Sequence, residues 1–222
     1  MASKIQTSES LILSGLLALS GGFQDAYTYN VRDEVFSNAQ TGNVVLMSQH
    51  IMSGDWSIAL RYLLPIIAFA MGVLVSERIG HKYKNSKKIH WRQIIVMIEL
   101  VLLFVVGFIP AKNNMIATML VSFTCSMQVQ TFRKVNGYGY ASTMCIGNLR
   151  SGTESLSIYL RDREFGALKK AFHYYGIILI FALGAGLGGI ISLGIGFKAI
   201  WFSSLLLLLA FIMMNDEYKI KK

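Results

Sequence analysis

Residues 21–54 read GGFQDAYTYNVRDEVFSNAQTGNVVLMSQHIMSG. An apolar helical pattern arrives at Gly21-Gly22, meets Asp25 and two tyrosines, and gives way to polar chain over residues 31–41. Helical patterning resumes at Gly42-Asn43 and lasts to Ser53, about 12 residues or ~18 Å. That is roughly half of the ~30 Å that a membrane helix must cross. The rest of the chain reads as lipid-facing helix, and this stretch does not.

Working outward, 54% of the 222 residues are hydrophobic and 15% are charged, with a mean hydropathy of +0.50. A soluble domain carries about 25% charged residues. The apolar residues fall in nearly uncharged blocks of about 17 to 23, long enough to span hydrocarbon. The net charge of +9 sits in short loops between these blocks, the pattern of the positive-inside rule rather than of nucleic-acid binding. Cys125 and Cys145 lack CxxC spacing, so neither a disulfide nor a zinc site has support. The apolar run after Lys4 continues past signal-peptide length with no small-residue cleavage site, so it reads as an uncleaved first span.

Six spans are predicted, at about 10–30, 58–79, 93–109, 115–132, 172–193 and 197–214. Pro65 should kink the second, and Pro110 stops the third. Loop 80–92 holds Lys82, Lys84, Lys87, Lys88 and Arg92, and segment 133–170 holds seven more basic residues. Both belong on the cytoplasmic side, as does the tail ending KIKK, whereas 31–57 and 110–114 belong outside. The half-length helix after Gly42 then begins and ends outside, and a second, about 148–160, begins and ends inside. Both must be re-entrant. Phe36–Thr41, extended, covers ~20 Å inward at 3.3 Å per residue, and about 11 helical residues return ~16 Å. Irregular backbone at that depth requires a protein interior or a water-filled cavity.

The order span, re-entrant hairpin, span, span occurs twice. Gly42-Asn43 and Gly147-Asn148 lie 105 residues apart, and Gln24 and Gln128 lie 104 apart. Phe36-Ser37 is echoed by Tyr140-Ala141-Ser142. With three spans per unit, the second is upside down. The expected architecture is therefore an all-α polytopic membrane protein with six transmembrane helices and two re-entrant half-helices. They form an inverted 3+3 repeat, units 1–110 (re-entrant 31–54) and 111–222 (re-entrant 133–160), as in many secondary transporters.

Gly21 to Tyr29, of the form G-G-x-x-D-A-Y-T-Y, followed by F-x-N-A-Q-T-G-N at Phe36 to Asn43, resembles the YoaK family of bacterial integral membrane proteins, a domain of unknown function. The resemblance covers essentially the whole chain. It implies a multi-pass protein of the bacterial cytoplasmic (inner) membrane, for which both termini are read as cytoplasmic, and supplies no substrate. The second half departs from the family pattern, which tends to M-Q-N-A at Met127-Gln128-Val129-Gln130 and to Thr-Gly near Ile146-Gly147.

Asp25 lies mid-span, where an ionised carboxylate costs ~2.5–3.5 kcal/mol on insertion scales. It should face a cavity, pair or stay protonated. It is read both as a coupling group for protons or cations and as a cap for nearby re-entrant backbone. Glu99 is a second coupling candidate, with a buried structural acid as the plainer reading. Asn38, Gln40, Thr41, Gly42 and Asn43 surround the first half-helix N-terminus. Ser142, Thr143, Gly147, Asn148 and Ser151 surround the second, with Gln128 near it. Two such N-termini near the midplane suit an anion or a polar heterocycle. The plainer alternative is that these side chains only satisfy backbone. Arg150 either adds charge for an anion or marks the cytoplasmic mouth. Tyr27, Tyr29 and Phe36 either stack on a planar solute or anchor the interface. Gly184-xxx-Gly188 permits close helix contact within the protomer or across a dimer.

No nucleophile elbow, P-loop, HExxH or paired catalytic acids occur, so no enzyme, metal or cofactor is expected. The leading expectation is a small secondary transporter for a polar or anionic solute, with proton coupling through Asp25. A re-entrant-loop channel and a non-transporting scaffold are the alternatives. The expected partners are the lipid bilayer and the solute, without nucleic acid; the small size makes a homodimer plausible.

Overall fold

The computed structural model describes residues 10–84, 90–135 and 137–220, with side chains through residue 214. The terminal tails and the centre of the basic loop, including Lys87 and Lys88, lie outside the described residues. The chain is all-α apart from one short hairpin. Its helices are α1 (Leu11–Val31), α2 (Gln40–Met52), α3 (Trp56–Tyr83), α4 (Trp91–Val106), α5 (Asn114–Thr131), α6 (Cys145–Asp162), α7 (Phe165–Ile195) and α8 (Ile200–Ile220). At the start of α1 the Ser10 side chain accepts from Leu13 N at 3.2 Å.

Several boundaries differ from the sequence expectation. The helices expected at half length start at Gln40 and Cys145 rather than at Gly42 and Asn148, and the second is not half-length: α6 runs 18 residues to Asp162, as long as α5 and longer than α4. The expected connector after residue 160 is mostly helical, since α7 already begins at Phe165 and its Ala, Leu and Lys residues favour helix. Arg163, with φ 55, turns the chain there. The third span ends at Val106, short of Ile109, because Phe108 and Ile109 donate to Val105 O and Val106 O in tight turns. The helix α3 runs unbroken through Pro65. The irregular chain after α5 contains the antiparallel pair β1 (Lys134–Val135) and β2 (Tyr138–Gly139), with Gly137 at φ +83 in the turn. The Val-Asn-Gly-Tyr sequence is a hairpin signal that hydropathy hides.

Helix α1 lies along α7 and α3 along α5; α2 packs on α3 and α6 on α7; α4 meets α8 and α5, and α8 also meets α1. The main apolar core lies between α1, α4, α5 and α8, around Leu17, Phe23, Leu103, Val121, Ile200 and Leu207. Polar side chains share the interior: Ser20, Gln24, Ser122, Ser126, Gln128 and Ser203 are each at most 2% exposed. The exterior carries Ile12, Leu74, Phe104, Leu183, Ile190 and Leu193. Trp56–Tyr83 and Phe165–Met214 are long and apolar enough to cross a membrane, and most of each faces outward. Such an exterior is satisfied by lipid and not by water.

Glycines set how closely α1 and α7 approach. A methyl on Gly22 would collide with Phe181 O, one on Gly184 with Leu19 O, and one on Gly188 would lie 2.6 Å from Phe23 O. Gly184 and Gly188 thus serve packing within the protomer. Gly176 and Gly186 on the same helix face open space. Gly22→Ala and Gly188→Ala are each expected to destabilise by ~1–3 kcal/mol, whereas Gly176→Ala and Gly186→Ala should be neutral or gain up to ~1 kcal/mol. Thermal unfolding in detergent measures both pairs, and equal shifts would contradict the assigned contact.

Candidate functional site

The helices α2 and α6 both start inside the bundle, each in the same way. Asn43, fully buried, accepts from Phe36 N at 3.2 Å and donates to Phe36 O at 2.7 Å. Asn148, 3% exposed, accepts from Ala141 N at 3.4 Å and donates to Ala141 O at 2.7 Å. Each asparagine reaches back seven residues and holds the incoming extended chain against the first helical turn. These two residues satisfy backbone. Gly42 and Gly147 occupy the third helical position of their helices, and neither is at positive φ.

The incoming strands are tied down from neighbouring helices. Ser37 Oγ donates to Asp25 Oδ1 at 2.9 Å and Asn38 N donates to the same oxygen at 2.7 Å. Gln128 Nε2 donates to Ser142 Oγ at 2.9 Å and to Leu17 O at 3.2 Å. Asp25 therefore caps the irregular backbone that leads into α2. It also faces a cavity.

That cavity has a volume of about 920 Å³. Asn38–Thr41 and Thr143–Ile146 project into it from the starts of α2 and α6; Asp25, Tyr29 and Phe36 complete one wall, and Phe69 and Phe181 another. The N-caps, Ala39 and Met144, make no side-chain capping bond. The first N–H groups of each helix are left without a capping side chain at the cavity. Asn38 and Thr143 are 5% and 6% exposed, yet Asn38 Oδ1 and Thr143 Oγ1 have no hydrogen-bond partner among the described residues. Both residues line the cavity, but these two oxygens are buried behind its surface, at a cost of about 1–3 kcal/mol each. Tyr29 and Phe36 stack there with centroids 4.8 Å apart.

Of the expected site residues, Asp25, Tyr29, Asn38, Gln40, Thr41 and Thr143 line this cavity. Gly42, Asn43, Gln128, Ser142, Gly147 and Asn148 do not. Gly147, Asn148 and Ser151 face a second cavity of about 430 Å³, which also takes in Gln130, Arg133 and Tyr140. Met144 lines both cavities. Gln40 spends its side chain on Ser37 O and Asn43. Arg150 is exposed and outside both cavities. Glu99 is buried in the bundle away from the main cavity, with Oε1 unpartnered among the described residues. Tyr27 serves structure, donating to Phe197 O at 3.0 Å.

Met144, Cys145 and Ile146 escaped the sequence reading. The signal was present: the spacing that relates Asn43 to Asn148 carries Asn38–Thr41 onto Thr143–Ile146. Arg32 also escaped, counted only as a loop cation. It is fully buried, donating to Tyr27 Oη at 2.9 Å, Ile109 O at 2.9 Å, Asn114 Oδ1 at 2.8 Å and Val106 O at 3.0 Å. Its guanidinium also lies 4.0 Å from the Phe197 ring centre.

Residues 13–213 match the family described as "Protein of unknown function (DUF1275)". The chain belongs to this family. It is 26% identical over 185 residues to a Bacillus subtilis (strain 168) relative named UPF0700 transmembrane protein YoaK, covering 76% of this chain and 81% of the relative. The sequence resemblance to the YoaK family is thereby borne out. No solved structure gives a significant match.

Proposed function

We propose that this chain is a small secondary transporter of the bacterial cytoplasmic membrane, moving a small polar solute through the space between the starts of α2 and α6. The observation that carries this reading is the cavity of about 920 Å³ lined by Asp25 and by the first residues of both α2 and α6. A scaffold would have no use for such a space. The relative's name, a transmembrane protein, agrees with membrane insertion.

The six-span inverted repeat is part of the proposal. In it α1, α3 and α4 form one unit with α2 re-entrant; α5, α7 and α8 form the other with α6 re-entrant. Supporting it, the contacts of α1 with α7 and of α2 with α3 have counterparts in α5 with α3 and α6 with α7. The Asn43 and Asn148 clasps also use the same atoms at the same separation. Both termini are then cytoplasmic, and the main cavity opens toward the outer end of α1. The second cavity, beside Arg133, lies toward the cytoplasm. Met144, which lines both cavities, favours alternating access over an open channel, since a transporter must close one side while the other is open. Asp25 is the coupling group, and Glu99 supports the bundle.

Uptake into proteoliposomes across a solute panel, with and without a proton gradient, tests this. Saturable accumulation that collapses with the gradient is expected. Unsaturable flux indifferent to the gradient would favour a channel, and immobility of every solute would remove transport altogether.

A further inference from the structure

The lining of the main cavity restricts what it can hold. Among its described lining residues Asp25 is the charged side chain, and none is Lys, Arg or His. An anion would meet a carboxylate there with no basic side chain to offset it, and the helix ends supply only about half a charge each. One of those ends is already answered by Asp25, which accepts from Asn38 N. The walls are mainly apolar and aromatic, with the Tyr29–Phe36 stack on one side and Phe69 and Phe181 on another. Faces of this kind take flat rings, and a carboxylate nearby favours a cation or an N–H donor. Ionised, Asp25 can only accept, and opposite an acceptor a ligand must present a donor.

We infer that the cavity is a binding site for a planar aromatic amine or N–H heterocycle, neutral or cationic, with its ring against Tyr29 and Phe36 and its N–H group toward Asp25. This rests on reading the cavity as the solute site, and it turns that site away from anions. The volume falls within the ~300–1,000 Å³ of sites that hold whole small molecules.

Titration calorimetry on the purified full-length protein in lipid nanodiscs tests it with four probes sharing one ring frame: tryptamine (cation), indole (neutral N–H donor), benzofuran (its isostere without N–H) and indole-3-acetate (anion). Tryptamine and indole are expected to bind at least about tenfold more tightly than benzofuran and indole-3-acetate, because a site built around an acceptor rejects an analogue lacking the donor. Phe36→Leu should weaken tryptamine and indole together. Asp25→Asn, which keeps both capping bonds and loses the charge, should weaken tryptamine without lowering the unfolding temperature and so covers the case in which Phe36→Leu disturbs the turn. Indole-3-acetate binding as tightly as tryptamine, equal binding of indole and benzofuran, or no tryptamine binding by folded protein would each overturn the assignment. Binding needs no flux, so tryptamine that binds but never moves in proteoliposomes counts against transport alone, whereas gradient-driven uptake of an anion counts against this assignment alone.

Discussion

Asp25→Asn is expected to lower gradient-driven uptake on the order of a hundredfold, the scale of losing a positioned proton-transfer group, while leaving the protein folded. The amide oxygen still accepts from Ser37 Oγ and Asn38 N, which lie 2.9 and 2.7 Å from the native Oδ1. The turn into α2 therefore survives, and what disappears is a site that can take and release a proton. Asp25→Ala separates the two roles. It leaves both donors unanswered in the interior, at about 1–3 kcal/mol each, and should lower the unfolding temperature as well as the uptake. The paired measurement is initial uptake rate at several imposed proton gradients beside thermal unfolding in detergent. If Asp25→Asn transports with its gradient dependence unaltered, Asp25 is a cap and nothing more.

The second large effect belongs to Arg32. Its guanidinium gathers the end of α1, the last carbonyl of α4, Ile109 O in the turn that follows, the first residue of α5 and the ring of Phe197 ahead of α8. The helix-end carbonyls carry the partial negative charge that a buried cation needs. Removing the cation strands Val106 O, Ile109 O and Asn114 Oδ1 together. Arg32→Met is expected to cost about 3–5 kcal/mol, roughly 10 °C of unfolding temperature for a chain of this size. Arg32→Lys should rescue little, because a single ammonium cannot reproduce the planar fork that spans these acceptors. The side chain lies outside the cavity lining, so the protein that does fold should keep its KM. An unfolding temperature within a degree or two of the native protein would show that Arg32 is not the clamp described.

Helices and loops were legible because lipid-length apolar blocks leave little choice of structure. Helix α2 was legible as too short to cross, whereas α6, read as equally short, has 18 residues. The helix starts were placed at the Gly-Asn pairs, but the helices begin two to three residues earlier, with Asn43 and Asn148 reaching back to Phe36 and Ala141, a tertiary bond that leaves no periodic trace. Of the candidate site, Asp25, Asn38, Gln40 and Thr41 were found because polar residues deep in apolar chain have few explanations. Phe69 and Phe181 were not, because in a membrane sequence an aromatic facing a cavity and one facing lipid look alike. Arg32 was hidden for the converse reason: charge counting places a residue on a side of the membrane, and says nothing about which helix ends the fold will bring around it.

The two cysteines are both free, but Cys125 is buried with its Sγ 2.8 Å from Gln24 Oε1, while Cys145 is half-buried, opens α6 and lines the main cavity. The native chain therefore carries its own one-position probe. A small membrane-impermeant thiol reagent applied from one side reads the accessibility of the start of α6 directly, and the labelling rate becomes a clock for how often that side of the protein stands open, with no cysteine engineered and none removed.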